Sequence, residues 1–256
     1  DRLARRVVLI NAHDVSELIE GLTSQLYFHG HPINRNEARD DLRLSFVDDA
    51  ESIHRLHFLA GVFASGLLLG GSLLICAWRP ESIGPFWVAV ATGVASTIAG
   101  LISGDFISGL WFTAPISLVI LIALHPARSS LLRIDGIEVV TTLLGLVALV
   151  PAVAFALTQA ELQRNGFVSD PHVEFHHYSG MASYALSLPL AAFAAALLVP
   201  GRRIAGWIVG VTGAGLGLAS LLLSDYPGAF RPTWAWLTLA WGVALVAVAE
   251  LRREAS

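Results

Sequence analysis

Five ionisable side chains crowd the stretch from Ser169 to Gly180: Asp170, His172, Glu174, His176 and His177. Imidazole nitrogens and carboxylate oxygens are the usual ligands of zinc and other transition metals. If residues 172–177 are helical, His172 and His176 stand one turn apart on one face, a common spacing for metal ligands. Glu174 between them is then the candidate general base for a metal-bound water. Further donors lie elsewhere in the chain, at His54, His57, Asp105 and Asp225. A metal held by His172, His176 or His177 together with His54, His57 or Asp105 would make a hydrolase. The plainer reading is interfacial: histidines at a membrane surface cap helices and face water, and His-x-x-x-His arises by chance. A haem held between His57 and either His176 or His177 is less favoured, because haem ligands sit deeper within a helix than these do. His29 and His31, in His-Gly-His-Pro, read as a polar turn.

The elements that must position these residues are unusually apolar. Of 256 residues, 55% are hydrophobic and only 14% charged, against about 25% charged in an ordinary soluble domain. Mean hydropathy is +0.65. The apolar residues gather after position 55 in runs long enough to cross a bilayer, which takes about 20 residues. Seven such runs are expected, at about 56–78, 85–103, 108–124, 137–157, 178–199, 204–223 and 233–249. The count falls to six if 85–124 forms a re-entrant unit. The expected fold is therefore an all-α, polytopic transmembrane bundle (residues 54–256) behind a polar, helical N-terminal segment (residues 1–53). Pro151 is a candidate kink in the fourth span.

All sixteen basic residues are arginine. The absence of lysine excludes a retinal Schiff base, which seven spans would otherwise suggest, and a lysine base within the chain. Net charge is −4, so no global positive field attracts nucleic acid. Arg79, Arg128, Arg133, Arg202, Arg203, Arg252 and Arg253 fall on one side of the expected spans, and only Arg164 and Arg231 on the other. The excess of arginine in cytoplasmic loops puts the C-terminus in the cytoplasm of a cell membrane. Seven spans then place the N-terminal segment, with its six arginines and ten acids, outside.

The middle of every expected span lacks Asp, Glu, Arg and His, which argues against a proton pump, a voltage sensor or a carrier with a charged mid-membrane site. Glu138 and His125, near span ends, are expected to be solvated. Gly61, Gly66 and Gly70 in the first span, and Gly206, Gly210, Gly213 and Gly217 in the sixth, let backbones approach closely. They serve either packing within one bundle or a face for other membrane subunits or a second copy. Trp78, Trp87, Trp111, Trp234 and Trp236 sit where an interfacial aromatic belt would. The single cysteine, Cys76, cannot form an internal disulfide or a thiolate cluster and reads as a packing residue.

In the N-terminal segment, Val15 to Leu22 repeats apolar residues at helical spacing, and Asn34 with Glu37 forms a capping box. Leu22-Thr23-Ser24, His29, Pro32-Ile33, Glu37-Ala38-Arg39 and the leucines Leu42 and Leu44 follow in the order found in the C-terminal tail of the ClpP-class serine dehydrogenase proteinases. Residues 18–51 thus resemble that tail, with Arg43 where the family has glycine. The resemblance implies an upstream peptidase domain, since this chain holds no glycine-rich oxyanion loop, serine elbow or lysine. Such a domain is ordinarily cytoplasmic, which opposes the arginine count. His177 with Gly180 and Ala182, then Gly228, Arg231 and Trp241, resemble an uncharacterised family of multi-pass membrane proteins with no activity to transfer.

Three functions remain open on the sequence. The leading one is a non-catalytic membrane anchor or subunit, tied to a peptidase-like domain or a larger assembly. The alternatives are the metal-dependent hydrolase and a transporter of a neutral or amphiphilic solute, marked by an apolar cavity between small-residue helices.

Overall fold

The chain divides into two compact units, Asp1–Asp49 and Ala50–Ser256. The computed structural model describes residues 59–105, 110–166, 171–224 and 229–251, all within the second unit. His29, His31, His54, His57, Asp170, Asp225 and the peptidase-tail resemblance lie outside the described residues, as do the side chains of 110–114.

Long apolar helices follow one another: α1 (Leu59–Trp78), α2 (Ile83–Ser103), α3 (Leu110–Leu124), α4 (Val139–Asn165), α5 (His177–Ala195), α6 (Arg202–Leu222) and α7 (Pro232–Leu251). Within α1, Val62–Gly71 is wound as a π-helix. Among the described residues five helices, α1, α2, α4, α6 and α7, are long and apolar enough to cross a membrane. The runs expected as third and fifth spans differ from these for separate reasons. At 1.5 Å per residue, the fifteen residues of α3 reach about 22 Å, short of a hydrocarbon core of about 30 Å. α5 carries His177, Tyr178, Ser179, Ser183, Tyr184 and Ser187 in its first three turns. It can do so because fifteen of its nineteen residues are buried by other helices.

α5 is the central helix, packed between α2 and α4, while α6 pairs along its length with α7 and also touches α1. Much of the buried surface is made of small side chains, around a few large ones such as Phe86, Leu68 and Leu245. Ala182, Ala191, Ala192, Ala205, Ala235, Ser179, Ser187 and Thr212 are fully or almost fully enclosed. Large apolar residues instead face outward, among them Val119, Ile120, Val147, Val150, Leu218, Leu237 and Val243. A water-soluble bundle would bury the large side chains first. Small residues inside and branched ones outside suit a lipid solvent, where close backbone approach replaces the hydrophobic drive between helices.

The glycines of α6 show that approach. A Cβ on Gly217 would lie 2.5 Å from Leu239 N and 2.7 Å from Ala235 O, and one on Gly210 would lie 2.7 Å from Gly242 O. The stripe Gly206, Gly210, Gly213, Gly217 is filled by α7 of the same chain, so the close contact it makes is internal. Gly66 and Gly70 of α1 are exposed and meet only their own helix backbone. Hydroxyls add few links between helices. Most bond back to the carbonyl four residues earlier, as Thr92 does to Val88 and Ser187 to Ser183, which satisfies them inside an apolar setting. Ser96 and Ser183 join α2 to α5 at 2.9 Å.

At the arginine-rich end, the loops are stitched by backbone. Ile137 and Leu197 form an antiparallel bridge, Leu198 N donates to Gly136 O at 2.9 Å, and Gly84 N donates to Pro200 O at 2.8 Å. Trp87 is not a free interfacial anchor: its indole N–H donates to Leu131 O at 3.1 Å, clamping α2 to the loop after α3. Trp78, Trp234 and Trp236 are exposed, as belt residues would be.

Two polar residues expected in solvent are buried. Glu138 caps α4, accepting from Val140 N at 3.0 Å and Thr141 N at 2.5 Å. The first-turn amides of a helix have no partner within it, which is the reason a carboxylate is drawn in there. His125 packs edge-on against Phe86 with ring centroids 4.8 Å apart. Its Nδ1 accepts from Ala127 N at 3.1 Å, which requires the proton on Nε2 of the neutral ring. Burial lowers its pKa from the ordinary 6.5.

Candidate functional site

The remaining polar side chains gather at the opposite end, around the last turn of α2, the end of α4 and the start of α5. The end of α2 aims Asp105. Gly104, at φ +62°, takes the left-handed conformation that closes a helix. Its N–H reaches Leu101 O, and Asp105 N reaches Gly100 O at 3.1 Å. This is the Schellman pattern, for which glycine is favoured because it lacks a Cβ. Asp105 is thereby turned back over the bundle, with its side chain fully buried.

α4 runs eight residues past the expected end at 157, to Asn165. The added turns look like loop in the sequence because they carry Gln159, Glu161, Gln163 and Arg164. Yet Gln159 and Gln163 are buried, and Gln163 has a clear task. Its Nε2 donates to Val173 O at 2.9 Å, and its Oε1 accepts from Ser179 N at 3.4 Å. Arg164 reaches across to donate to Ile102 O on α2.

The stretch from 171 to 180 is not one helix. A single turn, Pro171–Glu174, is followed by His176 at φ +56°, the one described non-glycine residue with positive φ, and α5 begins at His177. That break overturns the expected helical face: His172 and His176 are not neighbours one turn apart on a continuous helix. His172 instead stacks on Tyr178, with centroids 5.2 Å apart and planes 19° from parallel, and meets His177 edge-on at 6.0 Å. His177 also stacks on Phe175 at 5.9 Å. Glu174, the candidate general base, is exposed.

What the fold does bring together is Asp105, His176 and Ser179. His176 Nδ1 lies 3.0 Å from Asp105 Oδ1. Ser179 Oγ donates to Asp105 Oδ2, and the same hydroxyl lies 3.0 Å from His176 O. Residue separations of 71 and 74 positions are closed by one carboxylate. Ser179 was not singled out in the sequence: a serine beside a glycine at a helix start carries no distinctive signal.

An acid, a histidine and a serine are the residue types of an acyl-transfer triad, but the wiring differs. In such a triad the histidine faces the serine and takes its proton, while the acid orients the histidine from behind. Here the serine hydroxyl donates to one oxygen of the acid and the imidazole lies beside the other, so the imidazole is not placed to activate the hydroxyl. The arrangement holds the α2 terminus against the start of α5. Among the described residues, no three His, Cys, Asp or Glu side chains converge in a metal-holding set. His54 and His57, needed to complete the expected set, lie outside the described residues. Asp105 and His176 thus lie side by side, whereas His172 and His177 engage in ring stacking and Glu174 is exposed.

No family model matches the chain, and no curated protein or solved structure does so either.

Proposed function

We propose that the chain is a non-catalytic module of a cell membrane: a seven-span bundle, with its C-terminus cytoplasmic, that serves as an anchor or subunit for other protein. In this reading α3 and α5 also cross, α5 shielded by its neighbours. The observation that carries it is the Asp105–His176–Ser179 contact. The polar residues best placed for chemistry are spent on one another, fastening α2 to α5, and the span interiors hold no charged group to move a proton or an ion. A buried carboxylate with its hydrogen bonds made confers a single arrangement of helix ends, which suits a scaffold. The likeness of residues 18–51 to a peptidase tail fits a module that carries a peptidase-like domain on its N-terminal segment.

Metal analysis of the intact chain, purified from its native membrane, tests this against the hydrolase. The module reading expects no stoichiometric zinc or other transition metal, and no change in the cellular phenotype of a Glu174→Gln variant. About one metal ion per chain, lost on substituting His176, would overturn it.

A further inference from the structure

The arginine-rich end carries a cleft of about 760 Å³ between the α1–α2 turn, the start of α6 and the end of α7. Arg79, Arg203, Ser82, Trp207, Ile204 and Glu250 line it. It lies at the far end of the helices from Asp105 and plays no part in the contact described above.

The side chains around it are arranged, not scattered. Glu250 accepts from Arg203 Nε at 2.9 Å and from Arg203 Nη2 at 2.7 Å, and also from the Trp207 indole N–H. One carboxylate thus takes three donors and fixes both the arginine and the tryptophan. A guanidinium has five N–H groups, so the pair with Glu250 engages only two of those on Arg203. Arg79 stands across the cleft with its guanidinium carbon 5.5 Å from the centroid of Trp78. Charge in the lining is two arginines against one carboxylate already satisfied by three donors. α6 begins here as well, with Gly201 at its cap supplying no side-chain acceptor. Its N-terminal dipole adds to the attraction for an anion.

Two features select a lipid over a free anion. Trp207, Trp78 and Leu251 are exposed at this level of the bundle, where aromatic rings sit at the boundary between headgroups and acyl chains. Ile204 and Trp207 give the cleft an apolar wall beside its arginines, and the volume exceeds what an inorganic phosphate fills. Basic pockets between helices on the cytoplasmic side suit acidic phospholipid headgroups.

We propose that this cleft binds the phosphate of an anionic phospholipid, with Arg79 and Arg203 holding the phosphate and Trp207 and Ile204 lying along the glycerol and upper acyl chain. This goes beyond the anchor reading and rests on that reading's placement of the arginine-rich end at the cytoplasmic face of a bilayer.

The test is native mass spectrometry of the full chain released from nanodiscs holding equal phosphatidylglycerol and phosphatidylcholine of identical acyl chains. The wild type should retain phosphatidylglycerol selectively. Arg79→Gln should cut that preference about fivefold, and Arg79→Gln with Arg203→Gln should abolish it, in line with the attraction of one arginine near an anionic surface. Arg133→Gln removes a positive charge from the same end, on an exposed residue outside the cleft, and should leave the preference within twofold. No selectivity in the wild type, or equal losses from Arg133→Gln and Arg79→Gln, would overturn the proposal. So would displacement of the lipid by millimolar inorganic phosphate, which would mark a site for free anions. Because Arg79 is exposed, its substitution leaves the fold intact; an unchanged melting temperature checks this.

Discussion

Adding one methyl group at two glycines of this bundle should change stability in opposite directions. At Gly217 the new Cβ would sit 2.5 Å from Leu239 N, 2.7 Å from Ala235 O and 2.9 Å from Leu239 Cα. All three are backbone atoms of α7, which no rotamer change can move aside. Carbon contacts are most favourable at about 3.5–4.0 Å, so α6 and α7 must separate locally by about 1 Å. A gap of that size forfeits a quarter to a half of each contact along the seam, and overpacking of this kind costs about 1–3 kcal/mol. Alanine recovers up to about 1 kcal/mol through its better helix propensity. The net expectation for Gly217→Ala is a loss of about 1–2 kcal/mol. Gly66 is exposed, and its Cβ would meet only Gly61 O at 3.9 Å, so Gly66→Ala should be neutral or stabilising by up to about 1 kcal/mol. Reversible unfolding in mixed micelles, followed by far-ultraviolet circular dichroism, measures both. Equal effects of the two substitutions would refute the claim that α6 and α7 are held by backbone approach along the glycine stripe.

Two further outcomes follow from the polar residues. Burial depresses the pKa of His125, so the folded state prefers the neutral ring while the unfolded chain binds a proton near pH 6.5. Stability from this group is therefore full above that pH and falls as pH drops below it through the depressed folded value. His125→Asn keeps an acceptor near Ala127 N but cannot titrate, so the wild type should lose more stability than this variant between pH 7 and pH 5; parallel curves would contradict the assignment. Asp105→Ala removes both the acceptor of the Ser179 hydroxyl and the carboxylate beside His176 and should cost about 2–3 kcal/mol. Ser179→Ala leaves the His176 contact in place and should cost only about 1 kcal/mol. Equal losses in thermal unfolding would show that the carboxylate does not join the two.

The helices were legible wherever a window of some twenty residues is apolar, because span-forming runs advertise themselves by composition alone. That is how α1, α2, α6 and α7 fall near their expected positions. The extension of α4 to Asn165 was not legible, since Gln159 and Gln163 read as surface until the partner is known. Gln163 acts on Val173 and Ser179, contacts that no local pattern encodes. The break at His176 was missed for a related reason. A positive φ is uncommon outside glycine, although histidine takes it more readily than most, and the helical spacing of His172 and His176 pointed the other way. Asp105 and His176 were among the suspects for their chemistry, but their pairing spans 71 positions and depends on how Gly104 ends α2. Glu138 is a different case: the expected run began at 137 and put it inside the span, whereas the helix begins at Val139 with Glu138 as its cap.

The most direct test of the seven-span bundle uses accessibility from the two sides of the membrane. With Cys76 replaced by alanine, single cysteines at Ser129 and Ser224, both exposed, would be probed with a membrane-impermeant maleimide in intact cells and in inverted vesicles. Three helices, α4, α5 and α6, separate the two positions. If all three cross, Ser224→Cys labels only in intact cells and Ser129→Cys only in inverted vesicles. Labelling of both from the same side would mean that α5 does not cross, and would contradict the seven-span account.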